Sequence, residues 1–370
     1  MKYYILAGEA SGDLHGANLM KALLEEDPKA DIRFWGGDLM QAIGGTLVTH
    51  YKERAFMGFL EVIINLRKIL GFISFCKKDI AKFNPDVIIF IDNSGFNLRI
   101  AKWAKQQNFT TNYYISPQVW ASRAGRVESI KRDIDAMFVI LPFEKDFYKK
   151  YNYDVHFVGH PLIDGIDGRT QVDDRDFRNT YKLGTKKIIA LLPGSRKQEI
   201  SKMLPTMLSL TNDFTDYQFV IAGAPSQTNA FYKQFFKNEN IPLITNKTYD
   251  LLSISHAAIV ASGTATLETA LFKVPQVVCY KGSSISYQIA KRIITLEYIS
   301  LVNLIMDKKV VTELIQKDFN NEQLKQELSH ILEPTYREQL FLDYFDLEQK
   351  LGGKGASEKT AKLIVNGLKN

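Results

Sequence analysis

Two cysteines, Cys76 and Cys279, are all that 370 residues carry, and they lie in different halves of the chain. That leaves no disulfide framework and no zinc knuckle, and it fits a reducing compartment. Long apolar runs are missing too. No segment holds ~18 uncharged apolar residues, so no helix is expected to span a membrane. The first seven residues lead straight into a glycine-rich turn, which reads as a first strand too short for a signal peptide. H-E-x-x-H is absent and the cysteines are unpaired, so a metal centre is not indicated. There is no repeat at a solenoid period and no low-complexity tract. The net charge of +6 is too small to argue for nucleic acid. It suits an anionic substrate or an anionic membrane surface equally well.

What is present is alternation. Residues 3–7, 32–35, 87–91, 112–115, 136–141 and 155–158 read as buried strands, with helical stretches at 14–26, 59–83, 98–107 and 143–151. Residues 163–185 are rich in Asp and Gly and read as a linker into a short helix. The alternation then restarts, with strands at 188–192, 219–222, 243–245, 258–261 and 277–280 and helices such as 199–214 and 266–272. The length exceeds one ordinary core, and strand–helix alternation predicts parallel sheets covered on both faces. The expectation is an α/β chain of two Rossmann-like domains: 1–165, then a linker over 166–185, then 186–334. The helical tail 335–370 is expected to pack back on the first domain. Ligands of such sheets bind at the carboxyl ends of strands, which predicts a site in a cleft where the two domains face each other.

Four polar clusters fall at such strand ends. Ser262, Gly263, Thr264 and Thr266 form a small-residue turn opening a helix, a place for an anion, and Glu268 follows where it can accept from sugar hydroxyls. Phosphate plus ribose points to a nucleotide. Arg196, at the end of Leu192-Pro193-Gly194-Ser195, adds a planar fork suited to a diphosphate, or else a surface pair with Glu199. In the first half, Gly8 to Gly16 carries Glu9, Ser11 and Asp13. Its glycine spacing is not the dinucleotide fingerprint, so nicotinamide or flavin binding is not supported. Asp92 ends the most apolar strand and is placed to take a proton from an attacking hydroxyl, or else to cap the next helix. A fifth feature is the greasy stretch 56–83. As one helix it puts Phe72 and Phe75 on the solvent side, followed by Lys77 and Lys78, a pattern suited to a lipid surface. A break at Gly71 with both aromatics buried is the other reading.

Together these pieces resemble the lipid-A-disaccharide synthase family. The matching strings include Ala7-Gly8-Glu9-Ala10-Ser11-Gly12-Asp13, Met57-Gly58-Phe59-Leu60-Glu61-Val62, Ser116-Pro117-Gln118-Val119-Trp120-Ala121 and Leu141-Pro142-Phe143-Glu144. Val158-Gly159-His160-Pro161, Leu191 to Arg196, Ala261 to Glu268 and Ser300-Leu301-Val302-Asn303-Leu304 complete them. The resemblance implies a GT-B fold and an inverting transfer needing no metal and no cofactor. It implies UDP-2,3-diacylglucosamine as donor, 2,3-diacylglucosamine 1-phosphate (lipid X) as acceptor, and a β-1,6-linked disaccharide 1-phosphate plus UDP as products. It assigns the essential base to Asp92 and the donor site to Arg196, Ser262–Glu268 and Asn303. It implies a cytoplasmic protein held peripherally on the inner membrane, and it leaves a homodimer open.

Two departures stand out. Relatives carry a second Asp where this chain has Gly95, so proton transfer falls to Asp92, with Glu9 and Asp13 as alternatives. Lys281 stands where an Arg is common, and a lysine meets a phosphate without the bidentate fork. A different UDP-sugar enzyme of the same fold, a hydrophilic-acceptor transferase or an epimerase, is the rival reading, and a non-catalytic nucleotide-binding regulator is a third.

Overall fold

The computed structural model describes residues 1–54, 66–122, 124–236, 241–282 and 297–369. The chain divides into two compact units, Met1–Asp164 with Leu351–Asn370, and Gly165–Lys350.

The first unit holds a parallel seven-stranded sheet. Its strands are β1 (Lys2–Ala7), β2 (Asp31–Gly36), β3 (Thr46–His50), β4 (Val87–Ile91), β5 (Thr111–Tyr114), β6 (Ala136–Val139) and β7 (His156–Phe157). Their spatial order is β3-β2-β1-β4-β5-β6-β7. β1 and β4 pair from Tyr3 opposite Val87 to Ala7 opposite Ile91. Chain order reverses there, so the carboxyl ends of β1 and β4 form the switch point where ligands of open α/β sheets bind. All five residues of β4 are buried, as a strand covered on both faces requires.

The second unit holds a parallel six-stranded sheet: β8 (Lys187–Leu192), β9 (Tyr217–Gly223), β10 (Leu243–Thr245), β11 (Ser255–Ala261), β12 (Gln276–Tyr280) and β13 (Glu313–Ile315). The order is β10-β9-β8-β11-β12-β13, which puts its switch point between β8 and β11. β3 and β13 have no counterpart in the sequence reading: both are short edge strands with half-exposed residues, so they lack an apolar run.

Two boundaries differ from the expected ones. The segment expected as a linker belongs to the second unit, and the short helix expected there is Asp174–Tyr181, capped by Asp173 accepting from the Asp176 N–H at 2.8 Å. Its Phe177 packs into the second unit's core. The tail is divided. The helix Pro334–Lys350 belongs to the second unit, tied by Lys308 to Asp343 at 2.6 Å, Lys273 to Glu348 at 2.5 Å and Arg337 to the His256 carbonyl at 2.8 Å. Only the last helix, Ala356–Lys369, returns to the first unit. Ala361, Ile364 and Val365 join Leu19 and Leu23 in its core, and Asp164 accepts from the N–H groups of Gly355 and Ala356.

Candidate active site

The first unit's switch point gathers Glu9, Ser11 and Asp92. Gly8 follows β1, and the helix Ala10–Glu26 starts with Glu9 as its N-cap, whose side chain makes no capping bond. Glu9 and Ser11 are exposed. Beside them the chain leaves β4 through two left-handed residues, Asp92 (φ 45°) and Asn93 (φ 44°). That conformation is uncommon outside glycine, though Asp and Asn tolerate it best. It holds because the surrounding backbone is fixed. Buried Asn97 donates from Nδ2 to the carbonyls of Asp92 at 2.9 Å and Ile91 at 3.2 Å. The Tyr113 hydroxyl donates to the Asp92 carbonyl, and the Asp92 N–H donates to the Tyr114 carbonyl at 3.2 Å. The turn therefore leaves Asp92 an exposed residue at the edge, with its carboxyl partly shielded by the protein around it. Desolvation by the surrounding protein raises that carboxyl above its ordinary value, partly offset by the Asn93 N–H. A carboxylate of raised basicity on an exposed residue is what a general base requires.

Asp13 does not join this group. It is 3% exposed, and its carboxylate accepts from the N–H groups of Gly37 (2.7 Å), Leu39 (3.0 Å) and Met40 (3.1 Å). It closes the N-terminus of the helix Asp38–Ile43, and so is taken up by structure rather than offered to an acceptor.

The second unit's switch point brings together Gly194 to Arg196 after β8 and Ser262 to Glu268 after β11. Gly263 (φ 157°) sits in a region closed to most side chains and has open space around it. The helix Thr264–Leu271 begins there, its first N–H groups without partners within the helix. Thr264 is exposed. Thr266 is fully buried and donates its hydroxyl to the Gly263 carbonyl at 2.8 Å, so it shapes the turn instead of meeting a ligand. The Ser262 hydroxyl donates to the Ile299 carbonyl at 3.1 Å. Arg196 is 83% exposed and pairs with Glu199 at 3.2 Å. A surface pair of that kind contributes ~0–1 kcal/mol and yields readily to a diphosphate. Glu268 accepts from the Tyr249 hydroxyl at 2.9 Å, and burial raises its carboxyl.

Asn303 differs from its expected role. It is fully buried, with Nδ2 donating to the Val311 carbonyl and to Glu313, both at 2.9 Å. Its Oδ1 accepts from the N–H groups of Val310 and Val311. Glu313 also accepts from Ile299 and Ser300 at 2.9 Å. Asn303 therefore fastens the segment that touches Ser262, and no donor or acceptor is left for a nucleotide. Glu313, Tyr249 and Tyr113 were not singled out from sequence, since each acts through a partner ten or more residues away, and Asn97 was not, since a polar residue in the first turns of a helix carries no sign that it faces backbone carbonyls.

The amphipathic helix is described over Leu66–Phe83 and runs through Gly71 without a break. The preceding stretch, with Phe56, the Met57–Val62 string and the helix start at 59–65, lies outside the described residues. Arg33 clasps Asp79 at 2.6 and 2.8 Å, and the Tyr4 hydroxyl donates to the same carboxylate at 2.7 Å, which pins the helix to β1 and β2. Phe75 and Leu70 are 48% and 53% exposed. Phe72 is half-buried, edge-on to Trp35 at 6.2 Å, so it faces the core more than the sequence pattern suggested. Lys77 lies over the Trp103 ring at 5.7 Å and Lys78 is exposed. Lys68, Gly71, Phe72 and Phe75, with Glu53, line an open pocket of about 350 Å³. No described helix is long and apolar enough to cross a membrane.

No group of three or more His, Cys, Asp or Glu among the described residues is arranged to hold a metal. Two Asp-x-Asp spacings occur, but Asp133 and Asp135 flank the start of β6, at the opposite edge, on Arg132 and Lys105. Asp174 pairs with Arg178 at 2.7 Å.

Residues 3–364 match the family described as lipid-A-disaccharide synthetase. The chain belongs to that family. It is 40% identical to the lipid-A-disaccharide synthase of Syntrophus aciditrophicus over 377 residues, covering 99% of this chain and 97% of that one. It is 36% identical to that of Geobacter metallireducens over 372 residues, covering 98% and 96%. Among solved structures it is similar to a UDP-GlcNAc 2-epimerase from Neisseria meningitidis bound to UDP-GlcNAc (TM-score 0.67, 13% identity, 100% of both chains). It is also similar to a glycosyltransferase of kitacinnamycin (TM-score 0.68, 13% identity, 99% of both chains). These neighbours show the fold, two parallel-sheet α/β domains of the GT-B type. Family membership supplies the activity, that of lipid-A-disaccharide synthase, a glycosyltransferase of lipid A assembly.

Proposed function

We propose that the chain joins UDP-2,3-diacylglucosamine to 2,3-diacylglucosamine 1-phosphate by a single inverting displacement, with Asp92 as the base. The observation that carries this is the turn after β4. It holds an exposed residue with a carboxylate of raised basicity at the switch point of the first unit's sheet, beside Glu9 and Ser11. Asp92 takes the proton of the acceptor 6-hydroxyl as that oxygen attacks the donor's anomeric carbon, and the bond to UDP breaks on the opposite face. Glu9 and Ser11 hold the acceptor. Arg196 and the start of the helix Thr264–Leu271 receive the diphosphate, whose charge grows as it leaves. Glu268, oriented by Tyr249, holds the ribose hydroxyls.

Both substrates carry acyl chains. Leu70, Phe72 and Phe75 give them an apolar surface, and with Lys78 they support a peripheral position on the cytoplasmic face of the inner membrane. A helix pinned from below by Arg33–Asp79 and apolar above suits that task.

Mass-spectrometric turnover with the two acylated substrates, with and without EDTA, tests this reading. Formation of the disaccharide 1-phosphate and UDP in both conditions is expected. Turnover of UDP-sugar only with an unacylated acceptor would contradict it.

A further inference from the structure

One buried ionisable group has no part in the steps above. Glu144 is 1% exposed in the first turn of the helix Pro142–Lys149. Its Oε2 accepts from the N–H groups of Ile140 at 3.2 Å and Leu141 at 2.9 Å, which closes the helix start. A neutral cap would serve that purpose, whereas a buried carboxyl carries a desolvation penalty. Burial pushes it up to about 7. What the carboxyl adds is a third bond, to Oε1 from the hydroxyl of buried Ser116, reaching from the end of β6 to the end of β5. The Trp120 indole faces the Glu144 carboxyl and the Tyr148 hydroxyl faces Ser116, both from buried positions. Trp120 stacks edge-on against Phe143 at 4.9 Å.

Ser116 follows Ile115, whose φ is 64°. A β-branched residue in the left-handed region is strained by about 1–3 kcal/mol and persists only where its neighbours over-determine it. Two bonds do so here: the Ile115 N–H to the Phe138 carbonyl at 3.0 Å, and Ser116 to Glu144. One strand over, the Asp92 turn is held by the two residues just before Ile115, through the Tyr113 hydroxyl and the Tyr114 carbonyl. The carboxyl ends of β4, β5 and β6 are thus linked in series, with Asp92 at one end and Glu144 at the other.

We propose that Ser116 and Glu144 form a positioning couple for Asp92, clamping the strained end of β5 so that the neighbouring turn presents its carboxylate to the acceptor. This rests on Asp92 being the base. Neither residue touches substrate, so the couple acts through the Tyr113–Ile115 segment.

The test measures kcat, both KM values, the acid limb of the kcat/KM profile and Tm for Ser116→Ala, Glu144→Ala, Glu144→Gln and Asp92→Asn. Ser116→Ala and Glu144→Ala are expected to lower kcat about tenfold or more, as small misplacements of a reacting group do. Donor KM should stay within about twofold, because the donor residues lie on another sheet. The acid limb should move, and Glu144→Gln, which keeps the hydrogen-bonding shape, should restore most of kcat. Ser116→Ala removes a single hydroxyl. If it folds and keeps wild-type kcat, acceptor KM and acid limb, the couple has no positioning role, whatever its effect on Tm. Near-normal turnover of Asp92→Asn would instead overturn the base assignment, a separate result that removes the premise of the couple.

Discussion

Gly8 and Asn93 meet so closely that a Cβ on Gly8 would lie 1.9 Å from the Asn93 Nδ2. The contact joins the turn after β1 to the turn after β4, and Asn93 is the residue next to Asp92. Gly8→Ala therefore displaces the turn that carries the base. Overpacking of this kind costs about 1–3 kcal/mol. Turnover should fall further than the loss of folded protein explains, and Asn93→Ala in the same chain should recover part of it. Tm and kcat of the two single variants and the double variant check this.

Arg196 and Asn303 were both expected at the donor, and the structure separates them. Arg196→Ala removes an exposed pair, so stability should change by under about 1 kcal/mol while donor KM rises and kcat falls. Asn303→Ala strands buried partners at Val310, Val311 and Glu313 and should cost about 2–4 kcal/mol. Denaturant unfolding beside donor-dependence curves distinguishes the two.

That separation shows what the sequence could convey. The carboxyl-end clusters were legible because apolar runs such as Val87–Ile91 end abruptly in polar turns, and both clusters lie at switch points. Partners distant in the chain were not legible. Asp13 meets Gly37 24 residues away through backbone folding, and nothing local distinguishes it from Glu9. Thr266 reads as a phosphate ligand until its hydroxyl is seen turned onto Gly263. The helix Pro334–Lys350 looked continuous with the tail because its ties to Lys273 and Lys308 are ion pairs with no periodic signature.

Phe72 and Phe75 both lie against Trp35, at 6.2 and 6.0 Å, but Phe75 and Leu70 are exposed where Phe72 is half-buried, which predicts different outcomes. Leu70→Ser with Phe75→Ser should weaken binding to phosphatidylethanolamine–phosphatidylglycerol vesicles about tenfold or more, since burying each side chain is worth ~1.5–3 kcal/mol, a loss larger than any change in folded fraction explains. Phe72→Ser should lower Tm. Vesicle flotation and thermal unfolding read the two effects; equal flotation of the double variant and wild type would remove Leu70 and Phe75 from the membrane contact.

Glu144 gives stability a pH signature. Its folded value, about 7, stands above the ordinary 4.5, so its contribution is fully present below the unfolded value and is lost as pH rises through about 7. At roughly 1.4 kcal/mol per unit, the loss from this group is on the order of 3 kcal/mol. Unfolding free energy measured from pH 5 to pH 8 should carry this decline, and Glu144→Gln should lack it.

The central claim is that Asp92 takes the acceptor's proton, and single-turnover measurement of Asp92→Asn against wild type across pH tests it most directly. Desolvation raises Asp92 above its ordinary 3.8, and the base acts deprotonated, so wild-type kcat/KM should fall as pH drops through an acid limb above that value. The account predicts that Asp92→Asn, folded and binding the UDP-sugar normally, loses about 100-fold or more of the chemical step and loses that acid limb. Near-wild-type single-turnover rates with the limb intact would contradict it.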